Sequence, residues 1–221
     1  MAEKYGEIPK LFTKEWWEYF WDYYKLHTIV FAVIILVAVT TIWRIASAPR
    51  YEINALYAGE YDLSDESANL LSQKMTEFVT DSDGDGKDGV ALNRIFFVNG
   101  VEDLKVEFSY IMKMQLELRD EDSLLFIFDD TKAQYYLGDP DMYGAFLEAD
   151  QWLDGEIGED RLYMSGDKCY AVSLKDSKLL EECGINSENL YIAVKNQLEE
   201  PDEELKEKIA DAKNIANAIV E

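Results

Sequence analysis

The chain has 221 residues, 30% of them charged and 48% hydrophobic, and 45 acidic residues against 21 basic ones give it a net charge of −24. So acidic a chain repels phosphate backbones, and we expect no nucleic-acid partner. Its one histidine, His27, lies at the start of a long apolar run, which excludes Ser-His-Asp and Cys-His catalysis and histidine-bearing metal sites in the rest of the chain. With no GxGxxG or P-loop sequence, we expect a protein that is not an enzyme.

The segment Leu26–Trp43 contains no Asp, Glu, Lys or Arg over 18 residues. A helix rises about 1.5 Å per residue, so this run nearly spans a hydrocarbon core of about 30 Å. We therefore predict a transmembrane helix over residues 26–45. One alternative is a buried helix of a globular domain. Another is a cleaved signal peptide, because Ala46-Ser47-Ala48 fits a cleavage pattern, but Pro49 directly after it would block cleavage.

Aromatic and charged residues are interleaved before the apolar run. Residues 13–27 are predicted to form an amphipathic helix at the membrane interface, because Trp and Tyr favour the headgroup layer. A docking helix for another membrane subunit is the alternative. Four lysines precede the run and two arginines closely follow it, so the positive-inside rule places residues 1–25 on the cytoplasmic side. We expect a single-pass cell-membrane protein that contacts lipid through its anchor and carries an extracytoplasmic C-terminal domain.

A linker over residues 46–50 leads to a domain over residues 51–221, which holds most of the acidic side chains. This domain has 40 acidic and 15 basic residues, a net charge of −25, whereas residues 1–50 carry +1. Two explanations fit this charge: the domain binds cations or basic protein partners, or the charge serves only to keep the domain soluble. Cys169 and Cys183 could form a disulfide outside the cell, but we expect two separate thiols.

The first half of the domain alternates strands and helices. The predicted elements are a strand over 52–58, a helix that Ser64 begins, a strand over 92–98, a helix over 102–118 and an apolar strand over 124–128. The apolar rows expected to be buried are Leu71, Met75 and Phe78 in the first helix and Leu104, Phe108, Ile111 and Met112 in the second. This alternation is typical of an α/β domain with a mainly parallel sheet.

The second half of the domain is less regular. The predicted elements are a helix over 141–150, strands over 169–174 and 190–194, a short helix over 176–183 and a C-terminal helix after Pro201. The C-terminal helix has an apolar row formed by Leu205, Ile209, Ala212, Ala216 and Ile219. We expect this row to cover the sheet, with partner binding or a coiled coil as the alternative.

One motif has the spacing of a metal site. Asp81, Asp83 and Asp85 alternate with small residues ahead of Gly86, as in the first half of an EF-hand calcium loop. The twelfth position, which holds a bidentate glutamate in that loop, is Leu92. Two interpretations follow: a structural Ca²⁺ site with these three carboxylates as ligands, or a solvated acidic turn between a helix and a strand.

Three segments together resemble extracellular solute-binding proteins of Gram-positive bacteria. They are the DxDGDGK loop that begins at Asp81, the apolar strand Leu124–Asp130, and the "YAVSL…SKLLEECGI" stretch over 170–185. More narrowly, the chain is similar to small bitopic membrane proteins that keep part of that fold. The resemblance covers about residues 52–195. It implies a type II periplasmic-binding-like α/β lobe that binds rather than catalyses, although a complete binding protein has two lobes and this chain has room for one.

Two functions follow. The first is a non-enzymatic, membrane-anchored extracytoplasmic module that binds another envelope or transporter component. The alternative is a receptor for a small ligand or cation, related to solute-binding proteins. Aromatic side chains that could line a sugar or peptide surface, or belong to the core, are Tyr135, Tyr136, Tyr143 and Trp152. The sequence identifies neither the ligand nor the partner.

Overall fold

The computed structural model describes residues 9–46, 51–81, 89–97, 104–138, 144–155, 157–197 and 200–221. The chain divides into two units, Met1–Ala48 and Pro49–Glu221.

The first unit contains one helix, α1 (Lys14–Ala46), of 33 residues. It begins after Thr13, whose hydroxyl accepts the N–H of Trp16 at 3.2 Å. The predicted interfacial segment and the apolar run therefore form one continuous helix. Thr40 donates its hydroxyl to the Leu36 carbonyl at 2.9 Å, so this polar group is satisfied within the helix.

α1 is long and apolar enough to cross a membrane, with a mean hydropathy of 2.5 over an 18-residue window. No part of that window is buried. A core helix of a globular domain would have a covered face, so that alternative is wrong for the described structure. The prediction of a long apolar helix near the N-terminus is confirmed, and its length and composition fit either a membrane span or a signal sequence.

The second unit is built on one six-stranded sheet with the strand order β2-β1-β3-β6-β5-β4. Its strands are β1 (Ile53–Gly59), β2 (Val90–Phe96), β3 (Ser123–Asp129), β4 (Leu162–Ser165), β5 (Lys168–Ser173) and β6 (Leu190–Val194). Its α-helices are α2 (Asp65–Thr76), α3 (Leu104–Arg119), α4 (Asp130–Leu137), α5 (Lys178–Glu182) and α6 (Glu203–Val220). Ser64 caps α2 as predicted, because its hydroxyl accepts the N–H of Ser67 at 3.0 Å.

The sheet is mixed, so the prediction of a mainly parallel sheet is wrong. β1 pairs in parallel with β2 and β3, whereas the pairs β3–β6, β6–β5 and β5–β4 are antiparallel. The two-residue turn Gly166-Asp167 joins β4 to β5, and so short a turn allows only antiparallel pairing. α5, between β5 and β6, has five residues and rises about 7 Å. It is too short to be the helical crossover that a parallel pair of strands needs.

Two predictions for the second half of the domain also differ from the structure. The sequence did not indicate β4, which is only four residues long. The helix predicted over 141–150 is absent from its described part, where Ala149–Gln151 forms a single 3-10 turn. Residues 139–143 lie outside the described structure.

Both faces of the sheet are covered, which gives the domain a three-layer core. On one face α2, α5 and α6 cover side chains such as Ile53 and Leu125, and on the other α3 and α4 cover side chains such as Leu56 and Phe126. Six of the seven residues of β3 are buried, as expected for a central strand. The predicted row of α6 covers the sheet through Ala212, Ala216 and Ile219, and that of α2 covers it through Leu71 and Met75. Phe78, which was expected in the α2 row, lies beyond the end of α2 and is 38% exposed.

The buried face of α3 is not the predicted one. Phe108 and Met112 have exposed fractions of 62% and 45%, whereas Met114 is fully buried. Tyr110 and Leu118 pack beside Met114 in the core. Because apolar residues occur all around α3, their spacing does not determine which side faces the sheet.

The two cysteines are free, as expected. Cys169 lies in β5 and Cys183 directly follows α5. Burial raises the pKa of both thiols, which favours the unreactive protonated form at neutral pH.

Candidate functional site: a cleft at the carboxyl edge of the sheet

The chain leaves β1 and β3 in different directions. After β1 it enters α2, on one face of the sheet, and after β3 it enters α4, on the other face. Because β1 and β3 are parallel neighbours, their carboxyl ends lie side by side at a topological switch point. Open α/β sheets bind ligands preferentially in the crevice at such a point.

A cleft of about 540 Å³ opens at this switch point. Its size lies within the range of ordinary small-molecule sites. The lining residues are Tyr57, Glu60, Tyr61, Asp62, Leu63, Ser64, Ser67, Asp129, Asp130, Thr131, Gly184, Ile185, Asn186, Asn189 and Leu190. They come from the ends of β1 and β3, from the loop after β1 and the first turn of α2, from the start of α4 and from the segment that leads into β6.

Asp129 organises the centre of the cleft. One of its carboxylate oxygens accepts the N–H of Glu60 at 2.6 Å, and the other accepts the N–H of Lys132 at 2.8 Å. The second bond caps α4. A helix N-terminus at a switch point commonly binds a phosphate, but here the protein's own carboxylate takes that position. The N-terminus of α4 is therefore already occupied by a carboxylate of the chain itself.

Tyr57 forms one side of the turn over residues 57–61, at the end of β1. Its hydroxyl donates to the Tyr61 carbonyl at 2.8 Å, and its exposed fraction is 4%. Burial, with the charges of Asp129 and Asp62 adding to it, raises the pKa of Tyr57 to about 12. Tyr57 therefore stays a neutral hydrogen-bond donor that holds the turn over residues 57–61.

Gly59 permits this close arrangement. A Cβ at this position would lie 2.7 Å from the Tyr57 hydroxyl oxygen and 3.2 Å from a carboxylate oxygen of Asp129. Any side chain here would push the tyrosine or the carboxylate away. The glycine at the end of β1 is thus required by packing at the cleft.

The cleft has an acidic rim and a partly apolar wall. Glu60 and Asp130 stand at the rim, and the part of the lining that the structure describes includes no lysine or arginine. Arg94 reaches Asp62 at 3.3 Å from outside the lining and so offsets one of the carboxylates. Ile185 belongs to the apolar wall and is buried. The negative potential of such a cleft concentrates cations.

Of the predicted calcium ligands, Asp81 is not among the residues that line this cleft. Asp83 and Asp85 lie outside the described residues. Asp81 follows Thr80, whose N–H and hydroxyl donate to the Asp211 carboxylate at 2.7 and 2.9 Å. In the described part of the chain no three His, Cys, Asp or Glu side chains are grouped to hold a metal. Calcium binding at the loop stays a prediction.

Sequence reasoning missed the cleft, although a signal for it was present. Both central strands end in acidic residues, Glu60 after β1 and Asp129-Asp130 at the end of β3. Parallel neighbours bring such ends together, but the pairing of β1 with β3 is not visible in the sequence. Of the four proposed surface aromatics, Tyr143 lies outside the described residues and the other three are absent from the lining.

No protein-family model matches the chain, and no curated protein or solved structure matches it. The resemblance to extracellular solute-binding proteins has no support from these comparisons.

Proposed function

We propose that this chain is a single-pass membrane protein whose extracytoplasmic domain binds a small organic cation in the cleft at the carboxyl edge. The observation that carries the proposal is a cavity at the β1–β3 switch point with carboxylates at its rim and no basic side chain in its lining. This is the receptor function expected second from the sequence. It fits the domain's net charge of −25, which attracts cations over a longer range.

The ligand class follows from the lining. Glu60 and Asp130 can accept hydrogen bonds from an ammonium or guanidinium group, which are charge-assisted and roughly twice as strong as neutral ones. Leu63 and Ile185 provide apolar surface for a hydrocarbon portion. An amine with an apolar chain satisfies both parts of the cleft.

We propose binding without catalysis. Hydroxyl nucleophiles need a neighbouring base to lower their pKa or take their proton. Ser64, Ser67 and Thr131 line the cleft, but the Ser64 hydroxyl caps α2, and no histidine, the usual base for a hydroxyl nucleophile, lies among the described lining residues. Tyr57 is engaged with the Tyr61 carbonyl and has a raised pKa. These features support a site that holds its ligand unchanged.

The membrane assignment and the fold relationship are part of the same proposal. α1 supports anchoring by its length and composition, and the excess of lysine before its apolar run supports a cytoplasmic N-terminus in the cell membrane. We also propose that the domain corresponds to one lobe of a type II solute-binding fold. A single lobe has an open cleft, so we expect modest affinity.

Ligand binding is tested on the full chain in lipid nanodiscs. The probes are cadaverine, agmatine and phenethylamine, with glucose and inorganic phosphate as uncharged and anionic comparisons. We expect the amines alone to raise the melting temperature of the domain, because a ligand that binds only the folded state stabilises it by RT ln(1 + [L]/Kd). Glu60→Gln combined with Asp130→Asn should weaken amine binding at least tenfold.

The matched control is Asp167→Asn, which removes a carboxylate from the β4–β5 turn, away from the lining. It should leave amine binding unchanged. Absence of a shift with every amine would refute the proposal. So would a shift that survives the double substitution at the rim.

A second function is favoured by a separate observation. The exposed apolar row on α3, formed by Phe108, Met112 and Leu116, supports the binding of another envelope component, which was the first function expected from the sequence. The row lies outside the cleft lining, so one chain can carry both functions.

A further inference from the structure

α1 separates aromatic from charged side chains in the segment before its apolar run. An α-helix turns about 100° per residue, so each position in residues 14–25 has a defined direction around the axis. The charged side chains fall within an arc of about 100°, and they are Lys14, Glu15, Glu18, Asp22 and Lys25. On the opposite side, an arc of about 120° holds an aromatic stripe formed by Trp16, Trp17, Phe20, Tyr23 and Tyr24. Tyr19 and Trp21 lie between the two arcs.

The rings of the aromatic stripe are packed against one another. Trp16 and Phe20 stack with their ring centroids 5.4 Å apart and an interplanar angle of 22°. Phe20 and Tyr24 stack in the same way, at 5.7 Å and 26°. Because these rings hold each other in place, the stripe loses little side-chain entropy when it docks against another surface.

A groove follows the same side of α1 into the apolar run. Its volume is about 720 Å³, and its lining includes Phe20, Tyr24, His27, Phe31 and Ile34. These five residues are spaced by four, three, four and three positions, which is the repeat of a left-handed coiled-coil seam. The aromatic stripe and the groove thus form one continuous surface suited to a second helix.

Lipid does not account for the one-sided arrangement. A helix that crosses a bilayer meets the same headgroups on all sides, so an interfacial belt needs no division into an aromatic and a charged face. A helix that lies flat on the membrane does need one, but α1 continues unbroken from Lys14 into the apolar run.

The length of α1 also places part of the stripe outside the bilayer. In α1, 12 residues precede Leu26 and form about 18 Å of helix, whereas the headgroup layer on one side is about 5–7 Å thick. With the apolar run in the hydrocarbon core, Trp16 and Trp17 therefore extend beyond the headgroups into water. Aromatic side chains on one side of a helix in water indicate a protein contact.

We propose that the aromatic stripe and the groove dock the same surface of a second copy of this chain, parallel to the first. The inference rests on the proposed membrane anchoring by α1 and is independent of the cleft. Copies inserted in the same direction present their stripes at the same depth, so the two surfaces meet in register. Burial of the Trp and Phe rings outside the hydrocarbon core supplies a driving force that apolar side chains inside the bilayer lack.

The charge distribution favours a second copy as the occupant. In a parallel pair each residue faces its own equivalent, so a charge inside the contact would meet the same charge. The five charged residues of the segment 14–25 all lie on the other side of α1, which removes this repulsion. A partner of different sequence would not require their absence, because it could pair them with charges of its own. The acidic domains oppose association, but ions at physiological strength screen their repulsion beyond about 8 Å.

Disulfide scanning of the full chain in lipid vesicles tests the contact surface. Phe20→Cys and Tyr24→Cys should each give covalent dimers on oxidation, whereas Glu18→Cys and Asp22→Cys, on the charged side, should stay at the background level. The unsubstituted chain, whose own two cysteines are buried or half-buried, provides that background. Equal crosslinking at all four positions, or at none of them, would overturn the proposal.

A charge placed in the stripe should separate the copies. Phe20→Glu sets two like charges against each other, so sedimentation in density-matched detergent should change from a dimer to a monomer. Tyr19→Glu is the matched control, because it replaces an aromatic residue by the same acid at nearly the same depth but outside the stripe, and it should leave the dimer intact. A wild-type chain that stays in carbonate-washed membranes but sediments as a monomer would reject the second copy and leave the anchor standing.

Two other results would also overturn the inference. Release of the chain from carbonate-washed membranes, or an N-terminus that begins after Ala48, would reject the anchor and this contact together. A photoreactive benzoylphenylalanine in place of Phe20 that joins a different membrane protein, with no adduct between copies, would identify the occupant as a partner of different sequence.

Discussion

Asp129, at the end of β3, accepts the backbone N–H of Glu60, which directly follows β1, at 2.6 Å. The two residues are 69 positions apart in the chain. Their contact joins the two loops that diverge at the switch point, while the other oxygen of Asp129 caps α4. One carboxylate therefore holds both walls of the cleft at a fixed separation.

Asp129→Ala should destabilise the domain by about 2–4 kcal/mol. The helix cap is worth about 1 kcal/mol, and a partly buried N–H left without its acceptor costs about 1–3 kcal/mol. Denaturant unfolding of the full chain, followed by the signal of the folded domain, measures the loss. Asp130→Ala is the control, since Asp130 is exposed and its removal should change stability by less than about 0.5 kcal/mol. Equal losses for the two variants would contradict the role assigned to Asp129.

Stability should fall between pH 10 and pH 12. The pKa of Tyr57 is raised from 10.0 to about 12 by burial, so in this range the unfolded state loses the proton that the folded state keeps. The stabilisation is complete below pH 10 and is lost as the pH rises through the folded-state pKa. A shift of this size corresponds to about 3 kcal/mol.

The contribution of Tyr57 can be separated from that of Tyr136, whose pKa is raised to about 12 as well. Tyr57→Phe should remove part of the alkaline loss and cost about 1 kcal/mol at pH 7 through the missing bond to Tyr61. Melting temperatures recorded from pH 8 to pH 12 measure both effects. Tyr135→Phe, on the exposed side of α4, is the control. An unchanged pH profile in Tyr57→Phe would show that the shift has another origin.

Lys113→Met should promote self-association. The Lys113 ammonium covers the Arg94 carbonyl on β2, an edge strand, and uncovered edges pair with other chains. Methionine keeps most of the side-chain length and removes the donor. Light scattering of the full chain in detergent should show larger species with time. The control is Lys206→Met, which removes one positive charge from the surface of α6. This variant should self-associate no more than the wild type.

Calcium should stabilise the domain if the acidic loop is a metal site. We expect a higher melting temperature with Ca²⁺ than with chelator, and the difference should vanish when Asp83→Asn and Asp85→Asn are combined. Mg²⁺ at the same concentration separates specific binding from charge screening, because the smaller ion requires stricter octahedral geometry. Equal shifts with both ions, or none with either, would favour the solvated turn.

The orientation predicted from the lysine distribution is tested with C-terminal reporter fusions. An extracytoplasmic C-terminus should give an active alkaline phosphatase fusion and a dark fluorescent-protein fusion in a bacterial host. Replacing the four lysines before the apolar run with glutamine should weaken this bias. The opposite reporter pattern in the wild type would place the domain in the cytoplasm.

The sequence by itself determined the local features. The uncharged run Leu26–Trp43 predicted a long apolar helix, because only its length and lack of charge matter. Ser64 predicted the start of α2, because a cap depends on neighbours within one turn. The continuous apolar run of β3 predicted a strand covered on both faces, and the acidic composition identified the sign of the domain's charge.

Only the tertiary structure determined which of these elements are in contact. The direction of β4, β5 and β6 depends on the length of the connections and on packing, so the sheet is mixed where alternation suggested parallel strands. The exposed side of α3 depends on which of its apolar faces reaches the sheet, and Met114 rather than Met112 is buried. Glu60 and Asp129 become neighbours only when β1 pairs with β3. Periodicity reports the environment along one element, whereas the cleft is formed by residues distant in sequence, whose proximity depends on non-local packing.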